Sequence, residues 1–417
     1  PAPLQAAYRA LAAGDLDSAF AAAQERLADA PEDGMALHVV GVVRLKQARA
    51  GEARALLERA SRGAPGSPHV RLDLGNACLA DGDLDAALRA FAFAAAQRPA
   101  WAAPHLNAAS ALRRAGRLLD AAREYARAAR AEPAEYSAMQ ACVDCVAEHV
   151  RARPAPEAAP QAGGPRPLPW TIVFCSPDAA RLAAARARLE PLARESGSEL
   201  VAVLAPVSLA AAYNRAADQA RHERILFVHD DVSFASMDPL GALERALREA
   251  DVVGLAGSER ATGPAVLWAG HPYLHGWVSY PAADGDGLEA APLSLRHGII
   301  PGIQTLDGLL IACSRDAARA VRFDADTFDG FDFYDLDFSL RAFRAGLRVA
   351  VSTEPLAVHA SRGGFGDAWR RYRERFQRKF PELDAPAGAP HWYGAAMPDL
   401  PSLRAFYGEL ASLRVDP

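Results

Sequence analysis

The first third of the chain repeats one pattern of small apolar and polar positions every 34 residues. The period is marked by four prolines: Pro31, Pro65, Pro99 and Pro133. It is marked again, twelve residues ahead of each proline, by the alanines Ala19, Ala53, Ala87 and Ala121. Small residues let antiparallel helices approach closely, and proline ends a helix because it cannot continue the hydrogen-bond ladder. The pattern predicts an all-α solenoid over residues 1–150, closed by a helix near residues 134–150.

The second half of the chain alternates strand-like and helix-like stretches. Short runs of apolar and β-branched residues predict buried strands at residues 170–174, 199–204, 224–228 and 252–255. Stretches with helical spacing predict helices between them, at residues 179–195, 209–221 and 239–250. This alternation predicts an α/β domain over residues 170–417, with a mostly parallel sheet covered by helices. Such sheets bind ligands outside the carboxyl ends of their strands.

A proline-rich stretch separates the two halves of the chain. Residues 151–169 contain six prolines and two glycines, a composition that leaves little room for a helix or a strand. We therefore expect a semi-rigid spacer between the solenoid and the α/β domain.

Composition limits the classes of function. The chain has 417 residues, 51% of them hydrophobic and 23% charged, so it is globular and long enough for two or three domains. A formal net charge of −5 gives no reason to expect nucleic acid as a partner. Five scattered cysteines fit a reducing compartment better than a disulfide framework. Because the chain has no run of 18 apolar residues and no charged-then-apolar leader, we expect a cytoplasmic location without a transmembrane segment.

Candidate chemistry begins directly after the third predicted strand. There His229, Asp230 and Asp231 follow four consecutive apolar residues. Two carboxylates at the end of a buried strand cost free energy unless something pairs with them. A divalent cation is the simplest partner, because hard carboxylate oxygens suit Mg²⁺ or Mn²⁺. Paired aspartates are common in turns, so it is the position of this pair that suggests a site.

Three further features point to the same site. Asp335 precedes a predicted helix, whose dipole would keep the carboxylate ionised and able to take a proton from a hydroxyl. Asp337, two residues further on, is as consistent with a helix N-cap. His359 follows an apolar strand and offers an imidazole, a common ligand of borderline metals such as Mn²⁺. Arg362 lies in the glycine-rich residues 361–366, ahead of a basic helix, where a loop and a cation suit a diphosphate.

Several short motifs in this order resemble the family 2, GT-A type glycosyltransferases over roughly residues 170–380. The segments that carry the resemblance are residues 213–217, 229–231, 253–258, 305–308 and 333–337, together with His359. The 34-residue units resemble the tetratricopeptide repeat. The two resemblances imply a Rossmann-like GT-A domain behind a tetratricopeptide-repeat solenoid. They also imply an inverting transfer from a nucleotide-diphospho-sugar donor, most often a UDP-sugar in this family.

The resemblance assigns the metal motif to residues 229–231. The family's Asp-x-Asp pattern falls there with His229 in place of its first Asp. Asp231 is then the surest ligand of Mn²⁺ or Mg²⁺, and His359 matches a third ligand of some members. Asp230 is implied to contact the nucleotide or the metal, whereas His229 is the most dispensable of the three.

The resemblance also assigns the base and the donor contacts. The family's Glu-Asp pair falls on Tyr334 and Asp335, so Tyr334 is a second departure while the general base, Asp335, is kept. Asn214 and Arg215 match a helix that faces the nucleotide. Asp307 matches a residue near the donor sugar or the acceptor.

The joint presence of a solenoid and a glycosyltransferase domain favours transfer to Ser or Thr of a protein, an arrangement that resembles some bacterial flagellin-modifying enzymes. The solenoid groove would hold a peptide acceptor, with Asn76 and Asn107 as candidates to bond its backbone. Two alternatives stay open: a lipopolysaccharide or capsule glycan as acceptor, and a repeat scaffold whose GT-A domain has lost catalysis. Homo-oligomerisation through the repeats is a further alternative. Aromatic residues within 258–300 are equally compatible with an acceptor platform and a packed loop.

Overall fold

The computed structural model describes residues 2–133, 136–153, 168–364, 366–383, 385 and 393–413. The chain divides into two compact units, Pro1–Cys145 and Val146–Pro417. Most of the expected spacer, residues 154–167, lies outside the described residues, so the spacer stays a prediction.

The chain before the expected spacer forms helices, the last of which crosses the boundary between the two units. In chain order they are α1 (Ala2–Ala12), α2 (Leu16–Asp29), α3 (Gly34–Lys46), α4 (Ala50–Gly63), α5 (Pro68–Ala80), α6 (Leu84–Gln97), α7 (Ala102–Arg114), α8 (Leu118–Ala131) and α9 (Tyr136–Arg151). Within each period the two helices pack on one another, α3 on α4, α5 on α6 and α7 on α8. The turns inside the last two pairs contain Gly82 and Gly116 with positive φ, a conformation that glycine adopts without steric cost. The solenoid predicted from the period is confirmed.

Phe91 shows how small and large residues share the core of this unit. Its side chain is buried in a cluster with Leu57 and Ala87. Gly75 on α5 faces the ring, and a Cβ added there would lie 2.6 Å from the ring atom Cδ1 of Phe91. The phenyl ring therefore fills the space between helices only because position 75 has no side chain.

The second unit combines strands and helices. Its strands are β1 (Trp170–Ser176), β2 (Glu199–Leu204), β3 (Arg224–Val228), β4 (Val232–Phe234), β5 (Val252–Gly254), β6 (Ala256–Ser258), β7 (Leu274–Pro281), β8 (Leu288–Pro292), β9 (Ile299–Pro301), β10 (Thr305–Leu306), β11 (Leu310–Ser314), β12 (Val349–Ser352), β13 (Ala357–His359) and β14 (Ala395–Met397). Its helices are α10 (Ala179–Ser196), α11 (Leu209–Gln219), α12 (Pro239–Glu249), α13 (Arg315–Val321), α14 (Tyr334–Arg344), α15 (Asp367–Lys379) and α16 (Leu400–Ser412).

The central sheet of this unit is mixed rather than mostly parallel. Its strands lie in the order β2-β1-β3-β11-β5-β12-β9. β1 pairs in parallel with β2 and β3, and β12 pairs in parallel with β5, as the alternation predicts. β11 returns between β3 and β5 and is antiparallel to both. It follows β10 without a crossover helix, and a parallel pairing would need such a connection.

A second sheet lies on the path β10-β6-β7-β13-β4, with β8 between β7 and β14. The strands β7 and β8 come from residues 258–300, so this region contributes two strands to the sheet and is not one long loop. The sheet matters for the site because β4 follows residues 229–231 directly and pairs with β13, which ends at His359.

Asp337 links α14 to α15 through ion pairs and does not cap α14. The side chain is fully buried and pairs with Arg341 on the same helix (Nε to Oδ2, 2.8 Å) and with Lys379 at the end of α15. The helix begins after Phe333, whose φ of +67° turns the chain into it. The N-cap expected as an alternative for Asp337 is therefore wrong, and the carboxylate connects two helices.

The cysteines and the apolar character of the helices can be compared with the expectations from composition. All five cysteines are buried and free of disulfides. Among the residues that the structure describes, no helix is both long and apolar enough to cross a membrane.

Candidate active site

Residues 229–231 lie between β3 and β4, at the carboxyl end of β3. The amide of His229 donates to the carbonyl of Leu309 at 3.1 Å, which fixes the start of the connection. β13 pairs antiparallel with β4 in a register that sets His359 opposite Val232. One residue later, the amide of Ala360 donates to the carbonyl of Asp231 at 3.0 Å. Backbone pairing thus brings together two parts of the sequence more than a hundred residues apart.

Three potential metal ligands converge at this point. One side-chain donor atom from each of His229, Asp231 and His359 lies within 4.8 Å of the other two. His359 Nε2 is 3.1 Å from Asp231 Oδ1 and 3.5 Å from His229 Nδ1. Two imidazole nitrogens and one carboxylate oxygen form a donor set that suits a borderline divalent cation.

The charges of the three groups are strongly coupled. Burial would raise the pKa of Asp231, but the hydrogen bond with His359, the charge of His359 and the hydrogen bond with Ser361 together hold that pKa well below the usual value. Burial would likewise lower the pKa of His359, but the bond to Asp231 and the negative charges of Asp231 and Asp307 together raise it. For His229, burial and the nearby His359 together lower the pKa. Asp231 is therefore ionised and His229 neutral near pH 7, the states in which both groups bind metals.

His229 has a larger role than the sequence suggested. Its Nδ1 faces His359, and its Nε2 lies 2.7 Å from the hydroxyl oxygen of Tyr334. The Tyr334 hydroxyl donates to the carbonyl of Gly308 at 3.2 Å. The structure places His229 inside the cluster, so the interpretation of His229 as its most dispensable member does not follow from the geometry.

Asp335 lies in the first turn of α14, beside this cluster. Its Oδ2 accepts a hydrogen bond from the amide of Gly308 at 2.7 Å. Burial, and then the nearby charge of Asp307, raise the pKa of Asp335 to about 7, although backbone N–H groups act in the opposite direction. The expectation that the helix dipole keeps this carboxylate ionised is therefore corrected. Because the pKa is about 7, protonated and ionised forms of Asp335 are both present near neutral pH.

One cavity joins the cluster to Asp335. Its polar lining consists of His229, Asp307, Asp332, Tyr334, Asp335, His359, Ser361 and Arg362. Its apolar lining includes aromatic side chains: Tyr280, Phe331, Phe333 and Trp369. Asp307 is held there by a turn in which its Oδ1 accepts from the amide of Leu309 at 3.0 Å. The sequence-predicted ligand His359, base Asp335 and contacts Asp307 and Arg362 thus share one space.

Arg362 enters the cavity from the loop after β13. Its guanidinium lies 4.6 Å from the centre of the Tyr280 ring and pairs with Glu289. Gly363 and Gly364 line the same cavity, whereas Phe365 of this glycine-rich stretch lies outside the described residues. A half-exposed cation beside a cavity is suited to an anionic substrate group.

Asp230 is not part of the three-residue ligand cluster and pairs with an arginine instead. Its Oδ1 accepts from Arg181 at 2.7 Å, and its Oδ2 is buried without a hydrogen-bond partner among the described residues. At the carboxyl end of β1, the Ser176 hydroxyl is buried and lacks a partner in the same described part of the chain. Buried polar atoms without partners cost free energy, so both positions favour a polar ligand at this sheet edge.

The structure does not bring Asn214 and Arg215 to the cavity. The side chain of Asn214 donates to the carbonyl of Phe323 at 2.8 Å and accepts from the amide of Phe323 at 2.9 Å. Asn214 thereby joins α11 to the segment after α13, a contact that no local sequence pattern signals. Arg215 is exposed on the same helix.

The aromatic residues within 258–300 mostly pack inside the unit. Trp277 is buried and stacks on Tyr407 at 5.1 Å between ring centres. Trp268 donates from its indole nitrogen to the carbonyl of Ala385 at 3.0 Å. Of the aromatic side chains described in this region, Tyr280 lines the cavity, and an acceptor platform there stays a prediction. Trp392, in the C-terminal tail, lies outside the described residues.

Comparison with known proteins identifies both units. The family described as glycosyltransferase like matches residues 171–380, about half of the chain, and the tetratricopeptide repeat matches residues 44–91. No curated protein matches the chain.

Solved structures with similarity include MamA (19% identity, 34% of this chain and 84% of that chain, TM-score 0.32). They also include a thermophilic tetratricopeptide-repeat protein of Thermus thermophilus (20% identity, 36% of this chain and 89% of that chain, TM-score 0.30). A third is a mutant O-GlcNAc transferase of Thermobaculum terrenum (22% identity, 48% of this chain and 36% of that chain, TM-score 0.27). All three TM-scores are low, and no conclusion rests on them.

Two of the three carboxylates that line the cavity, Asp307 and Asp335, generate a prediction. Asp307→Asn removes a negative charge beside Asp335 while its amide oxygen can still accept the bond from Leu309. Because like charge raises the pKa of a carboxyl group, the pKa of Asp335 should fall below its value of about 7. Carboxyl ¹³C NMR titration measures this shift. Asp332→Asn, at a cavity carboxylate that does not perturb Asp335, is the matched control. An unchanged pKa in Asp307→Asn would mean that burial alone raises it.

Proposed function

The chain belongs to the glycosyltransferase-like family, and from this premise we propose that its α/β unit is an inverting, metal-dependent glycosyltransferase. The donor is a nucleotide-diphospho-sugar, and the acceptor is a hydroxyl group. The observation that carries the proposal is a cluster of three potential metal ligands, two of which, His229 and His359, line one cavity together with a carboxylate whose pKa is near 7. The tetratricopeptide repeats precede this unit in the same chain.

Asp335 is the proposed general base. As the acceptor oxygen attacks the anomeric carbon, Asp335 takes the hydroxyl proton and the bond from that carbon to the diphosphate oxygen breaks. Attack from the face opposite the diphosphate inverts the anomeric centre, so an α-linked donor gives a β-linked product. A pKa near the working pH suits this role, because the carboxylate is available and still accepts a proton readily. The bond from Gly308 to Oδ2 holds the carboxyl group in place at the cavity wall.

His229, Asp231 and His359 are the proposed ligands of a divalent cation. Their two nitrogens and one carboxylate oxygen fit Mn²⁺ better than Mg²⁺, which prefers oxygen ligands throughout. A cation held there would supply Lewis-acid neutralisation of the departing diphosphate. Arg362, at the cavity wall, is placed to pair with a phosphate oxygen once it leaves Glu289.

The nucleoside part of the donor is assigned to the edge of the central sheet. The buried and unpartnered oxygens of Asp230 and Ser176 support this assignment. Arg215, exposed on α11, stays a proposed contact, whereas Asn214 is engaged with Phe323 and we assign it to the scaffold. UDP is the nucleotide we propose, on the family resemblance.

A protein acceptor is the proposal that the repeats favour, since such solenoids bind polypeptides. A series of hydrogen bonds links the first helices of successive pairs. Tyr8 bonds to His38 (2.8 Å), and His38 bonds to Asp73 (2.8 Å). Asn76 donates to Asp73 (3.3 Å), and Asn107 donates to Asn76 (2.9 Å). The two asparagines therefore bond one another before any peptide arrives. Flagellin is one protein of the class proposed.

The general-base assignment predicts the effect of Asp335→Asn. The amide keeps the size of the side chain and can still accept from Gly308, but it cannot take a proton. Turnover should fall by about 10²–10⁴-fold, with donor affinity retained. Transfer rates and calorimetric donor binding measure the two quantities. Asp332→Asn should lose far less activity.

A second readout of the same prediction is the pH dependence of the native enzyme. The rate should rise with pH through about 7 as Asp335 loses its proton. That limb should be absent from the residual activity of Asp335→Asn. Near-normal turnover in the variant would refute the base assignment.

The ligand assignment predicts metal selectivity. After chelation the enzyme should be inactive, and Mn²⁺ should restore transfer at lower concentration than Mg²⁺. His359→Ala should raise the Mn²⁺ requirement and weaken the preference over Mg²⁺, because one nitrogen ligand is lost. His222→Ala, at a histidine outside the cavity lining, is the control. Equal activation by the two ions, unchanged in His359→Ala, would contradict the ligand set.

The acceptor proposal predicts where labelled sugar is found. Incubation of the full chain with labelled donor and an extract of the source cells should label protease-sensitive polypeptide. Asn76→Ala/Asn107→Ala should reduce labelling of polypeptide while donor hydrolysis is preserved, and Gln97→Ala, at an exposed amide on α6, should not. Label confined to protease-resistant carbohydrate would favour a lipopolysaccharide or capsule glycan. A chain that releases no nucleoside diphosphate from any donor would be a scaffold.

A further inference from the structure

We propose that Tyr334 is a positioning residue for the metal ligand His229: it holds the proton of the imidazole on Nε2 and so leaves the Nδ1 lone pair free for a cation. The inference rests on the proposed metal site and deepens it. It concerns two positions that depart together from the Asp-x-Asp and Glu-Asp pattern that the sequence resembles.

The two departures touch each other. His229 stands at the first position of the metal motif, and Tyr334 stands directly before the proposed base. They are 105 residues apart in sequence, yet His229 Nε2 lies 2.7 Å from the Tyr334 hydroxyl oxygen. Two carboxylates in these places would repel one another at this distance. An imidazole and a phenol form a neutral hydrogen bond instead, so each departure accommodates the other.

A count of donors and acceptors favours one direction for the hydrogen bond between His229 and Tyr334. The carbonyl of Gly308 can only accept, and it accepts from the Tyr334 hydroxyl at 3.2 Å. A hydroxyl has one proton, so when that proton points to Gly308 the oxygen accepts from His229. The chain then runs from Nε2–H to the phenol oxygen and from the phenol proton to the carbonyl, and all three buried groups are satisfied.

The other tautomer of His229, with its proton on Nδ1, is unfavourable for two reasons. With its proton on Nδ1, His229 would need the Tyr334 hydroxyl to donate to Nε2, and the Gly308 carbonyl would lose its donor from Tyr334. The Nδ1 proton would also point at the side where His359 Nε2 lies 3.5 Å away, among the three potential ligand atoms. An imidazole nitrogen that carries a proton cannot bind a metal. The arrangement that satisfies most buried groups is thus the one that prepares the site.

The surroundings hold the phenol in place. Tyr334 is 2% exposed, and its ring packs edge-on against Tyr213 at 5.6 Å between ring centres. Gly308 must lack a side chain for this approach, since a Cβ there would lie 2.9 Å from Cζ of Tyr334 and 2.8 Å from Oδ2 of Asp335. Gly308 therefore fixes two groups at once, with its carbonyl on Tyr334 and its amide on Asp335.

The test is Tyr334→Phe, which removes the hydroxyl and keeps the ring. Loss of an outer partner of a metal-binding histidine costs about 10–100-fold in metal affinity, so the Kd for Mn²⁺ should rise by about that factor. Electron paramagnetic resonance of free Mn²⁺, titrated into the chelator-treated full chain without donor, measures the Kd. Tyr407→Phe is the matched control, because it removes another buried phenol that donates to a backbone carbonyl, that of Val278 at 2.7 Å. The Kd of the Tyr407→Phe variant for Mn²⁺ should stay unchanged.

A double-mutant cycle separates positioning from general loosening of the fold. In a His229→Ala background, Tyr334→Phe should have little further effect on the Kd, because its partner is gone. Additive losses would show that Tyr334 acts otherwise than through His229 and would overturn the inference.

The tautomer is observable directly in the metal-free native chain, whatever the folding of the variants. Long-range ¹H–¹⁵N NMR spectra of His229 should show the proton on Nε2, and a proton on Nδ1 would overturn the inference. If the native chain binds no Mn²⁺ while His229 has this tautomer, the proposed metal site fails and the His229–Tyr334 bond stands. If Mn²⁺ binds equally well in Tyr334→Phe, the metal site stands and the positioning role fails.

Discussion

The antiparallel pairing of β4 with β13 is the constraint on which the rest of the site depends. Its register sets His359 opposite Val232, one residue beyond Asp231, and the bond from Ala360 to the Asp231 carbonyl extends the pairing to the metal motif itself. Without it, the acidic motif after β3 would be two carboxylates at a strand end. With it, a histidine from a distant part of the sequence completes a set of three potential ligands. A shift by one residue would turn His359 to the other face of the sheet.

A second constraint acts through the short connection between β10 and β11. Gly308 donates its amide to Asp335 and accepts from Tyr334, and Tyr334 in turn contacts His229. The proposed base and the proposed metal ligands are therefore parts of one hydrogen-bonded framework. Asp307, the residue before Gly308, lines the same cavity and raises the pKa of Asp335 through its charge. The same few residues thus set both the position and the protonation of the groups that would do the chemistry.

Local patterns were sufficient to predict the helix pairs, the first strands and helices of the α/β unit, and the strand end at which the candidate site lies. The 34-residue period specified the helix pairs, and the apolar run before His229 specified the strand whose end carries the motif. Local sequence patterns could not predict the pairings between residues that are distant in sequence. The antiparallel insertion of β11 depends on how strands meet, and the Tyr334–His229 contact joins residues far apart in sequence. The pKa of Asp335 depends on burial that only the packed structure reveals, and Asn214 was assigned to the nucleotide although its amide is used by Phe323.

The central claim is that His229, Asp231 and His359 together hold the cation of a glycosyl-transfer site. Crystals grown with MnCl₂ and UDP, with diffraction data collected at the manganese absorption edge, test it most directly. We expect an anomalous peak bonded to all three side chains, with the diphosphate reaching it from the cavity that Asp335 lines. A manganese ion held by Asp230 and away from both histidines would contradict the account, as would UDP bound without manganese in this cluster.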